Sequence, residues 1–208
     1  MYPIDLTVPE AEHSAALQLG ARWNERLSGW YVPRSFNAEP LNRWLTARDH
    51  INMRASALWL ARVYGPCPVC EIRIPLYGLI LPAGHHSLIP DDDPRQDVWE
   101  VAEEPAQLYD VAYLSTALQA ALRVQAPSYR FGYSTLLEDF GWMNYCRHCR
   151  ERVEDESCAL EFGSPLNPLD ENMAAEITLK ELRLDLEVTC YSQSCGVPFV
   201  EAMPRTCA

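Results

Sequence analysis

Lysine is almost missing from this chain: Lys180 is the only one among 17 cationic residues, and arginine supplies the rest. We read that bias as composition, not mechanism. Positive charge is scarce altogether, since 29 acidic residues leave a formal net charge of −12. Such a deficit disfavours broad contact with a phosphate backbone, which is bound through cations. Long apolar runs are absent too, and no stretch reaches the roughly 20 residues needed to span a bilayer as a helix. The opening Met1-Tyr2-Pro3-Ile4-Asp5 lacks the basic and apolar regions of a secretion signal. The expectation is a cytoplasmic protein with no membrane partner, in a reducing compartment where cysteines serve metals rather than disulfides. There is no phosphate-cradling glycine loop, no nucleophile motif and no His/carboxylate zinc motif. No residue is nominated as catalytic, and the chain is expected not to be an enzyme.

Cysteine, by contrast, is plentiful, with eight in 208 residues. Four form two knuckles, Cys67-Pro-Val-Cys70 and Cys146-Arg-His-Cys149. Two cysteines separated by two residues can aim both sulfurs at one ion, and two such turns complete the tetrahedral set of a closed structural zinc site. A redox pair or a set of small buried hydrophobes is the plainer alternative for either knuckle alone. Strand-like residues flank both: Leu58 to Tyr64, Ile72 to Leu81 and Gly141 to Tyr145. The expected arrangement is a zinc-ribbon-like β domain over 58–208, holding structural zinc through Cys67, Cys70, Cys146 and Cys149. A compact ribbon spaces its knuckles by roughly 15–20 residues, and the gap here is far longer. An insertion of about 84–128 must therefore fold and bring the second knuckle back to the first. Leu108, Val111, Leu114, Leu118 and Leu122 recur at helical spacing, so the spacing predicts a helix over 106–125.

Other groups are weighed in the same way. His85-His86 is read as a polar loop, and Asp91 to Glu104 as an exposed acidic run. Residues 48–57 are read as a short polar connector. His148 is expected to hydrogen-bond a thiolate rather than act as a fifth ligand. Cys158, Cys190, Cys195 and Cys207 either make a second metal site or are buried and loop thiols; spacing leaves that open. Ile177 to Leu179 and Leu182 to Thr189 read as two strands. Asp170 reads as the cap of a helical turn.

Residues 1–50 read as a small β-α-β-β-α domain. Ile4, Leu6 and Val8 alternate as a strand, Pro9 opens a helix and Gly20 closes it. Arg22-Trp23 and Gly29-Trp30-Tyr31-Val32 make a hairpin, and Leu41, Trp44 and Leu45 face one side of a second helix. Large aromatics supply buried area that so small a unit lacks otherwise. The functional alternative is a stacking platform at Trp23 and Trp30 beside Arg22 or Arg26. The overall expectation is α+β: this small domain plus the zinc-ribbon-like domain with its long helical insertion.

The run Val8-Pro9, Leu19-Gly20-Ala21-Arg22-Trp23-Asn24, Trp30-Tyr31-Val32-Pro33 and Trp44 resembles a small accessory domain of unknown function appended to plasmid-transfer DNA primases. The resemblance covers roughly residues 3–47 and implies a bacterial protein, not primase activity. The lysines that relatives carry in the first helix and hairpin turn are not present. The sequence Trp142-Met-Asn-Tyr-Cys-Arg-His-Cys149 and its long insert are similar to uncharacterised bacterial proteins carrying the same N-terminal domain.

Charge divides the chain. Residues 1–60 balance six acids with six arginines, whereas 61–208 hold 23 acids against 11 bases. The acids cluster at Asp91-Asp92-Asp93 through Glu104 and at Glu151 to Glu156. Such a field steers basic partners. The leading expectation is thus a non-enzymatic, zinc-stabilised module that binds a basic protein, as an immunity protein or antitoxin does. The alternative is an accessory nucleic-acid-binding factor acting through the N-terminal domain only.

Overall fold

The computed structural model describes residues 4–33, 39–91, 93, 96–134, 136–137 and 139–206. Asp92 and Cys207 therefore lie outside the described residues. The chain starts with β1 (Ile4–Leu6), a short 3₁₀ turn, α1 (His13–Gln18), β2 (Arg22–Asn24) and β3 (Gly29–Val32). Gly20, at φ 94°, supplies the left-handed residue that lets the chain leave α1 and enter β2. The three strands pair in the order β1-β3-β2, all antiparallel. Residues Glu39–Trp44 are a 3₁₀ run rather than the α-helix expected there. Trp30, Val32, Leu41, Trp44 and Leu45 pack into one cluster with Leu6 and Ala16. Phe140, far along the chain, joins that cluster and ties it to the larger sheet.

The remaining strands are β4 (Met53–Pro66), β5 (Arg73–Leu81), β6 (His86–Ile89), β7 (Val98–Val101), β8 (Ala106–Leu114), β9 (Tyr129–Tyr133), β10 (Phe140–Tyr145), β11 (Arg152–Val153), β12 (Thr178–Gln193) and β13 (Arg205–Thr206). They form one ten-stranded sheet with the main order β11-β10-β8-β12-β4-β6-β7. Its pairings are antiparallel except for the short parallel contact of β13 with β12. β5 pairs with both β4 and β8, and β12 does the same, so these four strands close a ring of pairings. Among the described residues the larger part also holds α2 (Thr116–Gln125), α3 (Glu171–Ala174), a π-helical turn at Glu156–Leu160 and a 3₁₀ turn at Val200–Ala202.

The α+β expectation is therefore overturned. The molecule is mostly β, and the stretch between the knuckles is not a helical insertion but β5 to β10 with α2 among them. The predicted helix over 106–125 splits at Ser115 into β8 and α2. Nearly every residue of β8 is buried, on both faces. A strand buried on both faces is continuously apolar, so leucines and valines three or four apart mimic a helical stripe. The supposed polar connector contains the start of β4, and His86 begins β6. The two strands expected over 177–189 are one strand, β12, kinked by bulges near Arg183/Leu186 and Thr189/Cys190. Asp170 does cap α3: its Oδ1 accepts from the Met173 N–H at 2.8 Å.

Two hydrophobic clusters flank the sheet. One joins Leu58, Leu60, Leu79, Leu108 and Val188 to Leu118 and Leu122 of α2. The other joins Ala61, Val63, Ile74, Leu76 and Leu179 to Cys67, Cys146, Cys158 and Met203. No helix among the described residues is long and apolar enough to cross a membrane.

Candidate metal centre

Each knuckle caps a β-hairpin, and the two hairpins are built alike. In the first, Pro66 pairs with Arg73, the Cys67 N–H donates to the Ile72 carbonyl at 2.9 Å, and the Glu71 N–H donates to the Cys67 carbonyl at 2.9 Å. In the second, Tyr145 pairs with Arg152, the Cys146 N–H donates to the Glu151 carbonyl at 2.8 Å, and the Arg150 N–H donates to the Cys146 carbonyl at 2.9 Å. Glu71 and Arg150 occupy equivalent places with φ of 59° and 66°. A left-handed residue other than glycine costs about 1 kcal/mol or more, so both turns hold a conformation the rest of the site must secure.

The turns meet. Cys67 Sγ lies 3.7 Å from Cys149 Sγ, Cys70 Sγ lies 3.7 Å from Cys146 Sγ, and all four sulfurs fall within 4.8 Å of one another. No disulfide joins them. Four thiolates held tetrahedrally at about 2.3 Å from zinc would have sulfur–sulfur edges of about 3.8 Å. The donor set therefore fits a metal ion, and Cys67, Cys70, Cys146 and Cys149 can hold one. It is the one such group among the described residues. A closed four-sulfur set leaves no open position for substrate.

Backbone amides prepare the sulfurs for charge. Burial opposes ionisation of Cys146, but N–H donation from Cys149 and His148, with help from the Cys149 and Cys70 thiols, lowers its pKa to about 6. The His148 N–H approaches that sulfur at 3.4 Å, so the expected hydrogen bond comes from its backbone. At Cys149 the Glu151 N–H favours the thiolate, yet burial and the other three thiols push the pKa up to about 12. Without an ion Cys149 thus holds its proton. Metal binding must therefore release protons and weaken in acid.

A direct tie between the two hairpins is Asn144, fully buried on β10 two residues before Cys146. Its Oδ1 accepts from the Tyr77 N–H and its Nδ2 donates to the Tyr77 carbonyl, both at 2.8 Å. Its carboxamide thus imitates a strand partner and fastens β10 to β5, the strand leaving the first knuckle. Sequence reasoning missed it. The available signal was a lone polar residue in the apolar run Phe140-Gly-Trp-Met-Asn-Tyr145. Asp110 is a second such residue, at φ 51° within the buried β8. Its N–H donates to Asp155 Oδ2 at 2.9 Å. Burial, opposed by that donation and reinforced by the charges of Asp110 and Glu154, raises the Asp155 pKa to about 7. The stretch Glu151 to Glu156 is thus no simple solvated acidic run.

Residues 4–46 match the model of a domain of unknown function, DUF5710. No curated protein and no solved structure matches the chain. Within the DUF5710 match, Trp23 and Trp30 are direct cross-strand partners with rings edge-on at 5.6 Å. Trp30 is 7% exposed and belongs to the core, while Trp23 is 47% exposed. Arg22 and Arg26 are exposed. Arg22 neighbours Trp23 on β2 and so stands on the opposite face of that strand; Arg26 lies in the turn closed by Asn24 Oδ1. Cys158 and Cys190 are buried in separate clusters and Cys195 is exposed, so these three do not assemble a second site. His85 does lie in the loop between β5 and β6, but it is buried, with Nδ1 2.8 Å from the Pro82 carbonyl oxygen.

Proposed function

We propose that the chain is a zinc-stapled β scaffold that works by binding, and that its acidic β6–β7 hairpin receives an extended basic segment of a partner protein. Zinc is the ion that four thiolates in a closed set suit best. The observation carrying the binding role is the edge of the sheet. β7 pairs only with β6, so the backbone groups on its far side are unpaired among the described residues. Val98 and Val101 are exposed on it, with Asp97, Glu100, Glu103 and Glu104 in or beside the strand. An unpaired edge accepts an added strand, and carboxylates around it select a basic one and hasten its approach. A protein that masks a basic nuclease surface is the narrower form of this reading.

The test is cross-linking mass spectrometry of partners captured by the chain and by a Glu100→Arg, Val101→Pro variant. A basic protein cross-linked at 97–104 and lost with the variant supports the reading. Partners retained by the variant, or cross-linked elsewhere, overturn it. The second reading rests on Trp23, whose half-open ring is available for stacking on a nucleic-acid base. Salt-sensitive quenching of tryptophan fluorescence by single-stranded DNA, abolished by Trp23→Ala, would favour it over the first.

A further inference from the structure

The acidic chain gathers positive charge in one place that neither the metal nor the hairpin explains. A cavity of about 310 Å³ is lined by Leu60, Arg62, Tyr77, Gln125, Thr178, Lys180 and Thr206, with no carboxylate among them. Register explains the arrangement. Arg62 of β4 is directly opposite Tyr77 of β5 and Thr178 of β12, so the three side chains form one row across the sheet. Lys180, the only lysine in the chain, stands opposite Leu60 in the next row of the same face. Gln125 closes one side from the end of α2, and Thr206 another from β13.

Arg62 and Lys180 are therefore diagonal neighbours on an antiparallel pair, a place where like charges repel. Part of this is compensated, because Lys180 Nζ donates to Gln125 Oε1 at 2.9 Å and sits at the carboxyl end of α2, which favours a cation. Arg62 has no such compensation: its guanidinium has no ion pair with a described carboxylate and only reaches the Tyr64 ring at 5.9 Å. Burial raises the pKa of the Tyr77 phenol, and the charges of Arg62 and of Arg147, the exposed knuckle arginine, oppose that rise. The two threonine hydroxyls donate to the carbonyls of Arg62 and Leu179 at 3.2 and 3.4 Å, long bonds that a charged acceptor would outcompete.

We propose that this cavity is a binding site for a phosphate group, held by Arg62 and Lys180 with the hydroxyls of Tyr77, Thr178 and Thr206. Donors converge on it from four separate elements, which suits the tetrahedral oxygens of phosphate better than a planar carboxylate. The volume leaves room for more than the anion itself, so the ligand is either free phosphate or the phosphate of a small organic monoester.

The experiment uses the full metal-loaded chain. Its unfolding temperature is followed in potassium phosphate, glycerol 2-phosphate, potassium acetate and potassium chloride at one ionic strength, and affinity is measured by calorimetric titration. Saturable stabilisation by phosphate or the monoester, with none from acetate or chloride, is expected; tighter binding of one identifies the source. Arg62→Gln and Lys180→Gln should each weaken binding at least tenfold, while Arg183→Gln, exposed and paired with Glu181 at 3.1 Å, should leave it unchanged. Circular dichroism shows whether each variant is folded, and binding is judged on the folded ones. Equal stabilisation by acetate, no saturable response to either phosphate, or full affinity in both cavity variants overturns the proposal.

Discussion

Residues 4–46 and residues 53–206 keep their shapes by different means. The first unit relies on aromatic bulk: Trp30 and Trp44 fill its small core, and most of their neighbours are near in sequence. The second relies on closure at long range. β12 pairs with β4 and β8, and sulfurs from Cys67 and Cys149 meet across 82 residues of chain. Bringing such distant segments together costs chain entropy, and the knuckles and Asn144 are where that closure is secured. The difference teaches that an ion held by the four cysteines would act on the second region directly, and on the first only through the packing of Phe140.

Metal removal is the strongest way to break that comparison. Chelation, or Cys146→Ser, should destabilise the sheet by more than about 5 kcal/mol, given the roughly 10–16 kcal/mol seen for structural zinc in small peptides. Hydrogen-exchange mass spectrometry reads the two regions separately. Amides of β4, β5, β10 and β11 should lose protection, while β1 to β3 retain it. Equal loss in both would mean that the packing of Phe140 couples them into one unit. Elemental analysis should find one zinc ion per chain.

The reverse cut comes next in size. Trp30→Ala removes a large buried side chain and should cost about 3–5 kcal/mol of local stability. Protection should fall in β1 to β3 and persist in the ten-stranded sheet. Trp23→Ala, at the same pairing but 47% exposed, should cost under about 1 kcal/mol in urea denaturation.

This contrast also explains what could be read from residues alone. The four knuckle cysteines were legible because their chemistry demands a short spacing that shows in one line of text. Leu58 to Tyr64, Ile72 to Leu81 and Gly141 to Tyr145 were legible as strands because β-type residues crowd there. β8 was not, since a strand covered on both faces carries no alternation to distinguish it from a helix. β6 and β7 were hidden by the acids around them. Asn144 and the Asp110–Asp155 contact were invisible for another reason: each acts on a residue more than 40 positions away, and no local pattern records such a partner.

Asn144→Ala tests the closure without touching a ligand. It would leave the buried N–H and C=O of Tyr77 without their partners, at about 2–4 kcal/mol in all. Metal affinity, measured by competition with a chromogenic chelator, should fall about tenfold or more, as it does when outer contacts that orient ligands are lost. Asn144→Asp keeps the acceptor but sets a buried carboxylate against the Tyr77 carbonyl, so at neutral pH it should weaken binding at least as much as alanine. Undiminished affinity in the alanine variant would show that the ion alone draws the hairpins together.

A dependence on pH is also expected in the sheet alone. Asp155 moves from an ordinary value of 3.8 to about 7, chiefly through burial. A group that binds its proton more tightly when folded stabilises the fold below its unfolded pKa and loses that contribution as pH rises through the folded one. Stability should therefore decline from about pH 4 to 7 by at most about 4 kcal/mol on this account. Asn at 155 cannot ionise, yet its carbonyl can still accept from the Asp110 N–H. Asp155→Asn should match the parent at pH 4 and exceed it by about 1–3 kcal/mol at pH 8. Acid also protonates the knuckle thiolates and loosens the metal in both proteins, so the informative quantity is the difference between them at each pH. A difference that stays constant from pH 4 to 8 would mean that Asp155 keeps an ordinary pKa and that its contact with Asp110 stabilises by hydrogen bonding alone.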